Sequence, residues 1–520
     1  MTLKMKRICS ILMVVMLVAS LAAGCSKKAE NATDTAVTPT GEASSDDGKG
    51  EATPTEAETL EPYEVVWYQM GNGMTADNQK VLDAVNEKLK DINTTLKLVY
   101  FSWGEYTDKI NMIINSGEKF DLCFTSGGEY IKNAAKGAFL DITDTFETNM
   151  PKFSKVLQKG FVEGAKINGH LYGLPTNKEM FGHYGFDVDK GIAEKAGIDL
   201  DSIKTLADMD KALRTVKEKV PDVTPLFVRT GNELNVGQWD SIGGSDGSPG
   251  VVMLNDPGLK VINEMESPEK MALWKQMHTW YEDGLINDNP ATVQDDTIWT
   301  SGKAFARPGQ LGVTPDYPGP ANNVIHRITM GEKYTSTSTV LGAMIAFSST
   351  SPDPERAMMF YDRFATDSEL YNLITYGIEG EHYVITDKTT TPWTEGYPEG
   401  IDDSNVGYKS SGSWALGGDW FMTYLSPTDP KNRNELVEEG NKAAVLSPAL
   451  GFTFDATNVT SEIAACANVY AEYKDGLNTG MLDPEKYAPD FIQKLKDNGV
   501  DKIIEEKQKQ IDAWKAANAK

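Results

Sequence analysis

Cysteine and histidine are scarce in this chain of 520 residues, with four of the first and five of the second. No His-Glu-x-x-His pair or phosphate loop occurs, which removes the commonest signatures of zinc hydrolases and nucleotide-using enzymes. His170, His183, His278, His326 and His382 have no metal-ligand spacing. Three acid-rich turns, SDGS, NDNP and IDDSN, lack the ligand ladder of a calcium loop, so neither metal nor cofactor is expected. Positive charge is also short: 50 Lys and Arg stand against 76 Asp and Glu, a net charge of −26. Such a surface repels nucleic acid and anionic lipid heads, which sets both aside as partners. A disulfide framework is excluded as well. Cys9 and Cys25 sit near the start, and Cys123 and Cys466 lie in apolar segments as two expected buried thiols.

The apolar run at residues 8–23, ICSILMVVMLVASLAA, is shorter than the roughly 20 residues a spanning helix needs. Three positive charges and no acid precede it, the pattern of an export signal. Ala22-Ala23-Gly24-Cys25 then resembles a bacterial lipobox, with Leu21 one place early and Ala22 where Leu is usual. The resemblance implies that Cys25 carries lipid, palmitate included, and becomes the mature N-terminus; a plain secreted chain is the alternative. Removing residues 1–24 takes away those three positive charges and brings the net charge to −29. Residues 26–61 are mostly Thr, Glu, Ala, Gly, Ser and Pro without one aromatic, too polar to bury a core. As a flexible coil they span about 30–36 Å, a tether that keeps a domain concentrated near a membrane partner.

From Tyr63 the pattern changes. YEVVWYQM reads as a buried strand, residues 77–92 place Val81, Leu82, Val85, Leu89 and Ile92 on one helical face, and TLKLVYF is a second strand. A helix over 104–116, the strand KFDLCFTS and a helix from Glu129 follow. The alternation predicts an α/β fold with a mainly parallel sheet covered by helices. Ligands of such sheets lie beyond the carboxyl ends of the strands. That rule nominates Gln69, Trp103, Ser126 and Glu129; Ser126-x-x-Glu129 reads equally as a capping box.

Four stretches carry a family resemblance: INGHLYGLP followed by YGFDVD, then WTSGKAFARPG (299–309), the segment 341–383 ending in YGIEGEHY, and the segment 451–516. They resemble the extracellular solute-binding proteins of ABC importers, family 1, which includes the maltose-binding protein and an oligosaccharide-handling lipoprotein subgroup. The resemblance implies a two-lobe fold, each lobe a mainly parallel sheet flanked by helices. The first lobe is 62–175 with 336–380, and the second is 176–335 with 381–520, after a signal at 1–24 and a linker at 25–61. Crossings are expected near 171–179, 330–339 and 377–386. It also implies a lipid-anchored, extracellular and monomeric receptor that captures oligosaccharide between the lobes and hands it to a permease without chemistry.

Ten tryptophans are generous for this length. Trp67, Trp274, Trp280 and Trp514 fall among apolar neighbours and read as core. Trp239 lies in a polar, Gly-rich stretch after TPLFV, with Asn235, Gln238 and Asp240 beside it. Rigid aromatics next to polar groups suit a pyranose, which has apolar faces and a rim of hydroxyls. The ranking is Trp239, then Trp414, Trp299 and Trp420, with Arg307 and Gln310 at the end of the strand after Trp299. A glycoside hydrolase, or a receptor for peptides or ions on the same fold, are the competing readings.

Overall fold

The computed structural model describes residues 60–242 and 249–518; the signal, Cys25 and the linker up to residue 59 lie outside them. The first sheet runs in the order Thr94–Ser102, Tyr63–Gly71, Leu122–Thr125, Met344–Phe347 and Gly173–Pro175. Its first three strands are parallel, as their helical connections require, and Met344–Phe347 is antiparallel to both of its neighbours. The helix Asn78–Lys88 buries Val81, Leu82 and Val85, and Tyr106–Ser116 buries Tyr106, Ile110 and Ile113. Helix Pro354–Phe364 closes over Trp67, whose indole meets the Phe364 ring edge-on at 5.2 Å.

The second sheet runs Asp316–Pro318, Val324–Thr335, Gly182–Asp189, Ala304–Gln310 and Thr224–Leu226. Among these pairs only Thr224–Leu226 with Ala304–Gln310 is parallel, so the expectation of a mainly parallel second sheet is corrected. Connectivity explains this. Gly182–Asp189 carries the chain away from the first lobe and Val324–Thr335 carries it back alongside, so the two must run in opposite directions. A third core lies where the C-terminal helices Thr460–Asn478, Pro484–Asp497 and Val500–Asn518 pack on the segment that contains Val252, Leu259, Val261 and Trp274.

The third crossing is displaced from its expected place. His382 accepts from the Ile378 N–H (2.9 Å) through Nδ1, and its Nε2 is 3.1 Å from the Asp77 carboxylate. Tyr376 and Tyr383 pack with Tyr424, and Tyr408, Ala415 and Leu416 enter the first core. Residues 381–425 therefore stay with the first lobe rather than the second. The chain crosses later, through helix Arg433–Ala443. There the Asn441 side chain donates to the Lys178 carbonyl (2.9 Å) and accepts from the Met180 N–H (2.8 Å), fastening the last crossing to the first.

Glu179 and His183 sit in the first crossing, 3.8 Å apart. Burial lifts the Glu179 carboxyl to about 7, against the pull of Lys178, Arg327 and Lys333. Burial, then Lys333, lowers the His183 imidazole to about 4. Between pH 4.5 and 6.5, their ordinary values, the folded hinge holds both neutral while the unfolded chain charges both. Folding thus gains a proton at Glu179 and loses one at His183, and the two slopes of stability against pH cancel. Replacing one partner exposes the other. In His183→Gln the folded state binds the extra proton, so stability falls as pH rises from 4.5 through 7. In Glu179→Gln the unfolded state binds it, so stability rises from pH 4 to 6.5. Urea midpoints across this range read both slopes; slopes of the same sign in the two variants refute a neutral hinge.

Candidate functional site

The first lobe presents a stacked and exposed tryptophan pair. Trp103 and Trp414 lie 5.8 Å apart at 18°, and they are 46% and 40% exposed. Exposed, braced indoles are costly unless a partner covers them. The bracing of Trp414 is built from buried polar groups. Gln69, fully buried, donates to the Ala415 carbonyl at 2.9 Å; Thr176 donates to the Trp414 carbonyl at 3.0 Å; the Tyr371 hydroxyl donates to Ser413 and Gly417, both at 3.0 Å. Gln69 is thus corrected from ligand contact to brace: its amide is consumed by the chain that presents Trp414. Trp103 is steadied by Asn72, whose side-chain oxygen accepts from the indole N–H at 3.3 Å.

Beneath this pair a hollow of about 170 Å³ is lined by Trp103, Ser126 and Glu129 together with Met70, Tyr106 and Phe124. The expected capping box between Ser126 and Glu129 does not form. Glu129 pairs instead with Lys132 (2.9 Å) and accepts from Asn111 (3.2 Å), and both it and Ser126 line the hollow.

In the second lobe Trp239 stands in a two-residue strand paired with Val252–Met253, on the wall of a cavity of about 290 Å³. Asn235 and Asp240 line it and Gln238 does not; Tyr184, Glu233, Lys270 and Tyr334 join them. Ser336 and Ser338, at the crossing back to the first lobe, form its rim toward the hinge. The loop that carries Trp239 is seated by a bulge in the neighbouring strand. Gly331, at φ +81°, lets the Val236 carbonyl approach to where a Cβ would stand 1.9 Å away, so only glycine serves there.

Electrostatics fix the rest of this wall. Lys270 is 1% exposed; it pairs with Glu233 and lies 5.9 Å from the Trp239 ring and 5.4 Å from Trp274. Asp240 accepts from the Ile242 N–H at 2.8 Å, and burial raises its carboxyl above the usual range, eased by the Ser447 hydroxyl. Glu264 is likewise raised by burial and accepts from the Gly250 N–H at 3.0 Å. Lys270 escaped the sequence reading, yet its signal was there. It occupies the buried stripe of helix Pro268–Glu282, three residues before Leu273 and four before Trp274, where a charge needs a partner.

Four other candidates are placed elsewhere. Trp299 is 4% exposed and packs with Phe227, Ala304 and Ile325. The Arg307 guanidinium covers the indole at 4.5 Å and donates to Asp187 at 3.0 Å, so Trp299 and Arg307 are corrected to a structural pair. Trp299 lies in the helical turn Thr297–Thr300 and Arg307 in the strand that follows, and neither lines the cavity. Gln310 is exposed at the end of that strand, opposite Tyr184, and does not line the cavity. Trp420 is half-buried beneath the Arg433 guanidinium at 4.1 Å, and its backbone N–H donates to the Asn177 carbonyl in the first crossing.

Lys270→Met removes the cation between Trp239 and Glu233 while keeping the bulk. The loss of a buried ionic hydrogen bond is expected to cost about 1–3 kcal/mol of stability, at the lower end because Glu233 can hydrate. Denaturant midpoints with a matched Glu233→Gln variant check this; additive losses in the double mutant would show that the two residues do not act as a pair.

The sequence pattern of bacterial extracellular solute-binding proteins matches residues 70–368, and that of a domain of unknown function (DUF3502) matches residues 448–516. A carbohydrate ABC transporter substrate-binding protein of Streptococcus pneumoniae serotype 4 is 29% identical over 462 residues, covering 86% of this chain and 90% of its own. The crystal structure of the N-glycan transport solute binding protein NgtS from Streptococcus pneumoniae superimposes with a TM-score of 0.77 at 28% identity, over 88% of this chain and 100% of that one. NgtS in complex with Man1GlcNAc gives 0.67 at 26% identity over 87% and 99%, and with Man5GlcNAc 0.64 at 27% over 88% and 99%. With two lobes, hinge crossings and more than half its length matched, the chain belongs to the bacterial extracellular solute-binding protein family.

Proposed function

We propose that this protein is the lipid-anchored, extracellular receptor of an ABC importer for oligosaccharides, passing them intact to a membrane permease. One observation carries the ligand class: each lobe offers an accessible indole beside polar groups, the Trp103–Trp414 stack in the first and Trp239 with Glu233, Asn235 and Asp240 in the second. A pyranose needs both, a flat face for its C–H groups and acceptors for its hydroxyls. The likeness to NgtS, seen with Man1GlcNAc and Man5GlcNAc, supports mannose- and N-acetylglucosamine-containing glycans as the first ligands to test.

Binding without turnover fits the acids of the cavity. Glycoside hydrolysis needs an acid and a second carboxylate free to act on the bond. Here Glu233 is paired with Lys270, Asp240 holds the Ile242 N–H and Glu264 the Gly250 N–H. The competing glycosidase reading would need two of these to abandon structural bonds. A peptide receptor would have little use for an exposed indole stack.

Calorimetry with Man1GlcNAc, Man5GlcNAc, fructo-oligosaccharides and peptides is expected to find an oligosaccharide ligand. Trp239→Ala should weaken it at least tenfold, about 1.4 kcal/mol, with the unliganded melting temperature nearly unchanged. The recovered ligand should be intact after overnight incubation; cleavage that persists through purification would make the protein an enzyme, and exclusive peptide binding would overturn the sugar reading.

The anchor rests on the lipobox-like Ala22-Ala23-Gly24-Cys25. Cys25→Ser is expected to release the protein from the membrane fraction into the medium or to leave an uncleaved precursor. A cleaved protein that stays on the membrane refutes lipidation at this residue.

A further inference from the structure

The C-terminal helices lie beyond the residues that the solute-binding pattern matches, in the segment that matches a domain of unknown function. Their position gives them a task. Cys466, Tyr470 and Leu495 reach the cavity of the second lobe and stand in its lining with Trp239 and Glu233. Val251 and Met265 join them, so the wall away from the hinge is largely apolar and nearly closed: Cys466, Leu495, Val251 and Met265 are each at most 6% exposed. The wall toward the hinge is polar, with Asn235, Ser336 and Ser338.

The same helices hold the loop that backs Trp239. Lys507 donates to the Gly250 carbonyl at 2.7 Å, and Gln508 accepts from the Val261 N–H at 2.7 Å. Trp274 donates from its indole to Asn478 at 2.8 Å. Between Gly250 and Val261 lies the strand Val252–Met253, whose Met253 pairs with Trp239. Contact therefore runs from the last helices through residues 250–261 to the indole expected to stack on the ligand.

We propose that this C-terminal module is part of the binding site, closing the cavity around the terminal sugar of the bound oligosaccharide and holding Trp239 against it. The proposal rests on the receptor reading above. A cavity of about 290 Å³ is at the lower end of the roughly 300–1,000 Å³ of small-molecule sites, so it seats one end of a chain and not its length. An apolar back wall with a polar mouth accepts a ring whose last unit carries no further linkage; a longer chain must leave through the mouth, toward Ser336 and the hinge.

The test uses the mature protein with Man1GlcNAc and Man5GlcNAc as probes in calorimetry. Tyr470→Ala opens the wall and should weaken the better probe at least fivefold, with the melting temperature of the unliganded protein kept. Unchanged affinity in folded Tyr470→Ala overturns the proposal. If that variant does not fold, Leu495→Met, which conserves volume, reads the same wall: the ratio of the two dissociation constants should move at least threefold, and an unmoved ratio overturns the proposal. The two readings separate at the wild type. Wild-type protein that binds no glycan refutes the oligosaccharide receptor and this proposal with it, whereas wild-type binding with indifferent wall variants refutes only the role of the C-terminal module.

Discussion

The backbone of Met180 is where the two lobes are tied. Its N–H donates to Asn441 at 2.8 Å, and its carbonyl accepts from the Thr335 hydroxyl at 2.8 Å. The Thr335 carbonyl in turn accepts from the Ser447 N–H at 2.8 Å. All three crossings of the chain thus meet within one hydrogen-bonded knot, and any rotation of one lobe on the other must pivot about it. Between pH 4.5 and 6.5 the ionisable pair Glu179 and His183 beside the knot is neutral, which reduces the charge the pivot must desolvate as it moves. The aromatic surfaces sit one step away on either side: Trp414 through Thr176, and the second-lobe cavity through Ser336.

Local periodicity made the first lobe readable. Val81, Leu82, Val85, Tyr106, Ile110 and Ile113 are the inward residues because helical spacing leaves them no other face, and the buried, unbridged state of Cys123 and Cys466 follows from their apolar segments. What failed was long-range. The direction of strands in the second sheet depends on which segments enter and leave a lobe, which no window of residues contains. Residues 381–425 read as second-lobe loop because their anchors, Asp77 for His382 and Tyr376 for Tyr424, are distant in sequence or lie in another element.

The candidate site divides along the same line. Trp239, Asn235 and Asp240 were legible because a polar, Gly-rich loop after a strand has few structural reasons to hold an indole. Trp299 failed on a neighbour: Arg307, eight residues on, is brought back over the ring by the strand that follows, and a guanidinium paired with Asp187 satisfies that face from inside the protein. Gln69 failed differently. It is at the right end of the right strand, but a fully buried amide must find partners, and the 413–417 segment supplies one. Residues from separated elements, such as Tyr184, Tyr334 and Tyr470, carried no local sign that they would share one cavity.

The two aromatic surfaces are built to different tolerances. The first-lobe pair is held by hydrogen bonds to backbone carbonyls from Gln69, Thr176 and Tyr371, which fix the chain that bears Trp414 whatever the ligand. The second-lobe indole is held less directly, by a two-residue pairing, a buried lysine and a bulge that accepts only glycine. Preorganised contact lowers the entropy lost on binding, whereas an adjustable wall admits a choice among related ligands. A receptor that must both catch a sugar and discriminate among its neighbours needs one surface of each kind. On the proposed receptor role, the first lobe's stack is the surface to meet a pyranose face, and selection among ends would fall to the cavity, where several separate elements each set part of the wall.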